Sequence, residues 1–139
     1  MTLLLDTNVL SEILRTTPEP AVLDWFSRQR DDDLHVSAVT QAEMLLGVAL
    51  LPHGKRQQRL HDSMRGLFEN DFAGRVLPFD GSAVAHYAEI VAARRRAGRP
   101  ISQFDAQIAA IALRNGAALA TRNLKEFEGC GLRLIDPWA

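Results

Sequence analysis

Four polar positions interrupt apolar stretches of this 139-residue chain: Asp6, Glu43, Asp105 and the Thr121-Arg122-Asn123 group. Asp6 closes the run Leu3-Leu4-Leu5, Glu43 sits in Gln41-Ala42-Glu43-Met44-Leu45-Leu46, and Asp105 in Phe104-Asp105-Ala106-Gln107-Ile108. A buried, unpaired carboxylate is costly or takes up a proton, so Asp6 calls for a metal ion, an arginine or a helix N-terminus. Three carboxylates converging on one place repel each other unless a cation sits among them. Oxygen donors without His or Cys partners favour Mg²⁺ or Mn²⁺ over zinc. A carboxylate-held Mg²⁺ that keeps its waters suits attack of water on a phosphodiester. Each acid also has a plainer role: Asp6 as a helix cap, Glu43 as an exposed helix residue, and Asp105 as a complement to a helix dipole.

The elements that must position these residues alternate short apolar strands with longer helices. The opening run reads as a strand covered on both faces, as in a parallel sheet. Residues 9–15 read as a helix stopped by Thr16-Thr17-Pro18, and Pro18 and Pro20 open a second one carrying Val22, Trp25 and Phe26. After the polar turn Arg30-Asp31-Asp32-Asp33, Leu34-His35-Val36-Ser37 forms the second strand. The helical spacing of the apolar residues Val39, Ala42, Leu45, Leu46, Ala49 and Leu50 predicts a helix over 39–51, ended by Pro52-His53-Gly54. A further helix over 55–72 would bury Leu60, Met64, Leu67, Phe68 and Phe72, making an αα-hairpin with its predecessor.

Residues 75–80 give a third strand, with Asp80 the expected N-cap of a helix over 82–97. Phe104 opens a sixth helix, over 104–115, stopped by Gly116; Ala118-Leu119-Ala120 is a buried strand, and residues 132–135 form an edge strand. Such alternation indicates an α/β fold in three layers, a mainly parallel central sheet flanked by helices. Parallel strands bring their carboxyl ends to one edge, where open sheets bind ligands. Asp6 and Asn123, each following a strand, can therefore be neighbours, and the helix N-terminus at Asp105 points the same way.

The totals bound the class. The chain fits one domain spanning 1–139, with 47% hydrophobic residues and a net charge of −1. No global basic field marks a protein that simply coats nucleic acid, although a local basic rim is compatible with an enzyme. One cysteine, Cys130, rules out an internal disulfide and any cysteine-rich zinc site. His35, His53, His61 and His86 show no metal-ligand spacing. No basic, apolar leader precedes the first strand and no apolar run approaches ~20 residues, so a soluble cytoplasmic protein with no membrane attachment is expected.

The stretches Leu5-Asp6-Thr7-Asn8-Val9, Ser37-Ala38-Val39-Thr40-Gln41-Ala42-Glu43, Asp105-Ala106-Gln107-Ile108-Ala109-Ala110 and Ala120-Thr121-Arg122-Asn123, in that order, resemble the PIN-domain proteins of the VapC/FitB-like group. Leu77-Pro78-Phe79-Asp80 and the ending Asp136-Pro137-Trp138 extend the likeness over essentially the whole chain. The resemblance implies a Mg²⁺- or Mn²⁺-dependent endoribonuclease, the toxin of a type II toxin–antitoxin system. It also implies a homodimer, or a heteromeric complex with an antitoxin encoded beside it, whose arginine would reach the acidic pocket. Asp6, Glu43 and Asp105 match the family's three principal acids. Asn123 stands where many members carry a fourth aspartate; an amide brings an oxygen without charge, so a second metal would be held less readily. Glu126 could contribute through water or form a surface salt bridge. Thr7, Asn8 and Thr121 are candidates to orient the acids, or else ordinary turn and capping residues.

Basic residues for gripping RNA come from Arg15, Lys55, Arg56, Arg59, Arg94, Arg95, Arg96, Arg99 and Arg122, with loop-borne Arg99 and Arg122 singled out. Trp25, Phe26 and the apolar hairpin faces could receive an amphipathic antitoxin segment or simply form core. Two other readings stay open: a catalytically weak PIN module that binds RNA or protein, and a Mg²⁺-dependent DNA nuclease or phosphatase using the same acids.

Overall fold

Leu3–Leu5 forms β1, the central strand of the sheet, in a computed structural model that describes residues 1–139. Leu34–Ser37 (β2) and Ala118–Ala120 (β4) flank it, while Val76–Leu77 (β3) and Leu134–Ile135 (β5) form the edges, in the order β3-β2-β1-β4-β5. All four pairings are parallel, so the expectation of a mainly parallel sheet becomes a wholly parallel one. Alternation along the strands explains the all-apolar runs. Leu4 and Leu119 point into one core cluster, whereas Leu3, Leu5, Ala118 and Ala120 point into the other.

The helices cover both faces. Thr7–Ile13 (α1), Pro20–Ser27 (α2), Ala38–Ala49 (α3) and Lys55–Gly66 (α4) fill the first half, and Val84–Arg96 (α5), Gln103–Arg114 (α6) and the short Leu124–Phe127 (α7) the second. In α6, Ala106, Ala109, Ala110 and Ala112 have no exposed surface, so the helix lies close against the sheet with Ile108 and Ile111 filling the gaps. Each of those isoleucines contributes on the order of 1.5–3 kcal/mol by burial. The αα-hairpin is present, and Gln57 ties it: its Nε2 donates to the carbonyls of Val48, Ala49 and Leu51 at the end of α3.

Several expectations are corrected. The first helix begins at Thr7 rather than Val9, because Asp6 itself caps it. The long helix expected over 55–72 ends at Gly66 and widens into a π-helical turn, Leu67–Asp71, that seats Phe68 in the core. Asp80 does not cap α5; its carboxylate takes the backbone N–H and hydroxyl of Ser82, closing the turn before the helix, and these bonds hold its pKa below the usual value. The helix α7 was not anticipated. The apolar stripe of α3, left open between core and interface, divides: Val39 is buried, whereas Ala42, Leu46, Ala49 and the C-cap Leu50 are exposed, Leu46 at 54% and Leu50 at 76%. Cys130 behaves as the small buried residue expected, between Gly129 and Gly131, whose φ of 79° and 78° make the turn.

Candidate active site

Three strand-to-helix junctions meet at the carboxyl edge of the sheet, and the middle one carries Asp6. Its backbone N–H completes the ladder to Ala120 on β4 at 2.9 Å. Its side chain then turns back to cap α1: Oδ1 accepts the Thr7 N–H at 2.9 Å, and Oδ2 accepts the Thr121 hydroxyl at 2.8 Å. Of the partners expected for Asp6, the helix N-terminus is the one the fold supplies. A helix N-terminus and a hydroxyl hold it, and no arginine or lysine pairs with it. At 4% exposure, its carboxyl is pushed up to about 6 by burial. The Thr121 and Thr7 hydrogen bonds pull the other way, and the charges of Asp105 and Glu43 add to the rise.

Glu43 reaches the same edge from α3. The Thr7 hydroxyl donates to its Oε1 at 2.9 Å. Thr7 therefore touches both acids, with its backbone N–H on Asp6 and its side chain on Glu43. Behind it lie two groups that the sequence reading did not single out. Thr40 Oγ1 lies 2.9 Å from Thr7 Oγ1, and Ser37, which caps α3 by accepting the Thr40 N–H at 3.0 Å, donates its hydroxyl to Thr40 at 3.3 Å. Both are fully buried. The signal was available in Ser37-x-x-Thr40-x-x-Glu43, a three-residue spacing that stacks polar groups on one helix face.

Asp105 sits half-buried in the first turn of α6, where Ser102 caps the helix by accepting the Asp105 N–H at 3.2 Å. Burial raises its pKa, a Ser102 hydrogen bond lowers it, Glu126 raises it and Arg94 lowers it. Asn123 contributes through its backbone: its N–H donates to Thr121 Oγ1 at 3.0 Å, so a donor chain runs from Asn123 through Thr121 to Asp6. Its side chain is exposed. The Asn8 side chain accepts the Arg122 N–H at 3.4 Å, tying α1 to the end of β4.

The basic residues divide. Arg122 lies over the Trp138 ring, 5.0 Å from its centroid, beside a cleft of ≈ 490 Å³ lined by Asn123, Leu124, Lys125, Glu126 and Glu128. Arg99 pairs with Glu128 at 3.4 Å and Arg15 with the buried Glu12 at 3.1 Å. Arg94 is removed from the RNA-gripping pool altogether: it is 6% exposed and its guanidinium is spent on backbone carbonyls.

The donor set suits a hard cation. It is made of carboxylate oxygens, and one of the acids, Asp6, is buried and raised in pKa by that burial. Asp6 feels the charges of Glu43 and Asp105, but no three acidic, His or Cys side chains converge closely enough to hold one ion directly. That arrangement fits an ion such as Mg²⁺, which keeps several waters and takes one or two carboxylates.

A wholly parallel α/β domain with acids gathered on the carboxyl edge of its sheet is thus the class this chain represents. It belongs to the PIN-domain family, whose model matches residues 3–128. A VapC ribonuclease of Sinorhizobium fredii is 41% identical over 136 residues, covering 98% of this chain and 97% of the relative. The toxin FitB of Neisseria gonorrhoeae is 40% identical, covering 98% of both chains. The crystal structure of FitAcB from Neisseria gonorrhoeae superposes with a TM-score of 0.91 at 39% identity, covering 99% of both chains.

Proposed function

We propose that the chain is an endoribonuclease dependent on Mg²⁺ or Mn²⁺, acting in the cytoplasm as the toxin of a toxin–antitoxin pair. The observation that carries this reading is the bridging of Asp6 and Glu43 by Thr7, with Asp105 adding its charge at the same edge. The names of the ribonuclease and toxin relatives support the substrate and the role. Asp6, Glu43 and Asp105 would hold the metal, in part through its retained waters, with Asn123, Thr7, Asn8 and Thr121 supporting them. The chemistry a bound metal supplies is activation of water and neutralisation of charge on the phosphate. The protein's own part is to fix the acids. Thr7 and Thr121 lock both oxygens of Asp6, and Thr7 locks one oxygen of Glu43, leaving Oε2 without a hydrogen bond from the protein. Arg122, stacked on Trp138 beside the cleft, would meet backbone phosphates, and the stacking and the cleft support that role.

The test compares RNA, single-stranded DNA and a small phosphoester side by side, in Mg²⁺, Mn²⁺ and EDTA. RNA cleavage that is lost in EDTA and restored by Mn²⁺ is expected. Equal cleavage of DNA would replace the ribonuclease with a general nuclease, and binding without cleavage would leave a non-catalytic module. RNA affinity should weaken about 50-fold between 50 and 200 mM salt if about four phosphates are contacted.

The exposed face of α3 supports a homodimer, with an antitoxin as the further partner. Ala42, Leu46, Ala49 and Leu50 recur at helical spacing, and no helix is long and apolar enough to cross a membrane. Leu46→Glu is expected to convert a dimer to a monomer in sedimentation equilibrium without lowering helix content. An unchanged dimer would place the interface elsewhere.

A further inference from the structure

Four oxygens lie in a row behind the candidate active site, and their order fixes which way each hydroxyl points. The Thr7 hydroxyl donates its single proton to Glu43 Oε1 at 2.9 Å. It has none left for Thr40, so at the 2.9 Å contact between them Thr40 is the donor and Thr7 the acceptor. Thr40 in turn has no proton for Ser37, which agrees with the Ser37 hydroxyl donating to Thr40 at 3.3 Å. The row begins at the backbone, where the Thr40 N–H donates to Ser37 Oγ at 3.0 Å. Every proton therefore points from the buried cap of α3 toward the carboxylate.

We propose that Thr40, backed by Ser37, is a positioning residue for Glu43, acting through Thr7 to hold Oε1 and present Oε2 to a divalent cation. The inference rests on the metal-dependent reading of the site and adds to it two residues that touch neither acid. Three further observations support it. Ser37 and Thr40 have no exposed surface, so water cannot substitute for either partner in the chain. Capping of α3 uses the Ser37 side chain and the Thr40 backbone N–H, not the Thr40 hydroxyl. Hydrogen bonds in series polarise one another, so the donor that reaches Glu43 is stronger than a lone threonine. The matching chain from the Asn123 N–H through Thr121 to Asp6 Oδ2 serves the other acid, and Thr7 is the point where the two meet. One threonine thus sets the relative placement of two carboxylates, and Thr40 sets that threonine.

The test uses Thr40→Val, which keeps the branched shape and removes the hydroxyl, with Thr40→Ser as the conservative rescue. Metal-free protein is titrated with Mn²⁺ and the free ion followed by electron paramagnetic resonance, and RNA cleavage is measured in parallel. Thr40→Val is expected to bind Mn²⁺ about tenfold more weakly and to lose a similar factor in kcat with KM for RNA unchanged, while Thr40→Ser stays within about threefold of wild type. A folded Thr40→Val with wild-type Mn²⁺ affinity overturns the proposal. Should that variant not fold, wild-type protein decides the matter by NMR: the slowly exchanging hydroxyl protons of Thr40 and Thr7 are expected to shift on titration with Mg²⁺, and their indifference to saturating Mg²⁺ overturns it. Wild-type protein that neither binds Mn²⁺ nor cleaves RNA overturns the ribonuclease reading and this inference together. A metal-dependent wild type whose Thr40→Val behaves identically overturns the inference alone.

Discussion

Asp6→Asn is expected to abolish metal-dependent cleavage while leaving a folded protein that is, in metal-free buffer at pH 7, more stable than the wild type. The folded protein keeps the Asp6 proton up to about pH 6, whereas a free aspartate carboxyl loses it near 3.8. Between those values the native state binds more protons than the unfolded chain, so stability falls as pH rises through the window. Below it the cost is absent, and above it the cost stands in full, on the order of 3 kcal/mol at 1.36 kcal/mol per pH unit. The amide removes that charge but places an NH₂ where Oδ2 accepts the Thr121 hydroxyl, so Thr121 must turn to another acceptor. A net gain of about 1–2 kcal/mol is therefore expected. Urea denaturation in EDTA at several pH values checks it: the wild type should weaken from pH 4 to pH 7, and Asp6→Asn should lack that slope. Mg²⁺ at about 100 times its Kd should return roughly 2.7 kcal/mol to the wild type and almost nothing to the variant. A loss of about 4 kcal/mol of transition-state stabilisation corresponds to about a thousandfold in kcat. Retention of full activity, in a preparation free of contaminating nuclease, would sink the catalytic assignment.

The position of Asp6 was legible because a three-leucine run can be covered on both faces only inside a parallel sheet, whose carboxyl end then fixes the place of the next residue. The same logic placed Thr121 and Asn123 after β4 and brought Asp105 to the shared edge. What stayed hidden were details set by caps and by tertiary partners. Asp6 caps its own helix, which starts α1 at Thr7 and makes that residue a bridge rather than a turn residue. At Asn123 the sequence draws attention to the side chain, yet the backbone N–H is the atom that reaches the site. The apolar period of α3 read correctly as a helix but left open whether its stripe is core or interface, because periodicity reports that a stripe exists and not what covers it. A four-residue helix such as α7 is too short to leave a period at all. The three arginines at the end of α5 look alike in sequence, and only the fold separates the first from the other two.

That first arginine carries the second large expected effect: Arg94→Met should cost about 3 kcal/mol, whereas Arg95→Met should stay within about 0.5 kcal/mol of wild type. Arg94 is buried with no acid paired to it. Its Nε donates to Arg99 O at 2.7 Å and its Nη1 to Glu126 O at 2.7 Å and Glu128 O at 3.2 Å, with Cys130 Sγ at 3.5 Å. One side chain therefore clamps the loop after α5 to the end of α7. Methionine keeps the aliphatic stem in place. It leaves the carbonyls without their charged donor, and relief from burying the guanidinium offsets only part of that loss. Lysine should rescue poorly, since a single ammonium cannot reproduce a fork aimed at separate carbonyls. A second readout separates this from simple loosening. Burial already raises the pKa of Asp105, and the charge of Arg94 works against that rise. Removing the charge should therefore move the acid limb of the cleavage pH profile to higher pH in Arg94→Met and leave it in place in Arg95→Met. Equal urea midpoints for the two variants would show that the clamp is not what holds α7 beside the site. A lost midpoint with an unmoved acid limb would confine Arg94 to the fold and leave the acidity of Asp105 to its burial alone.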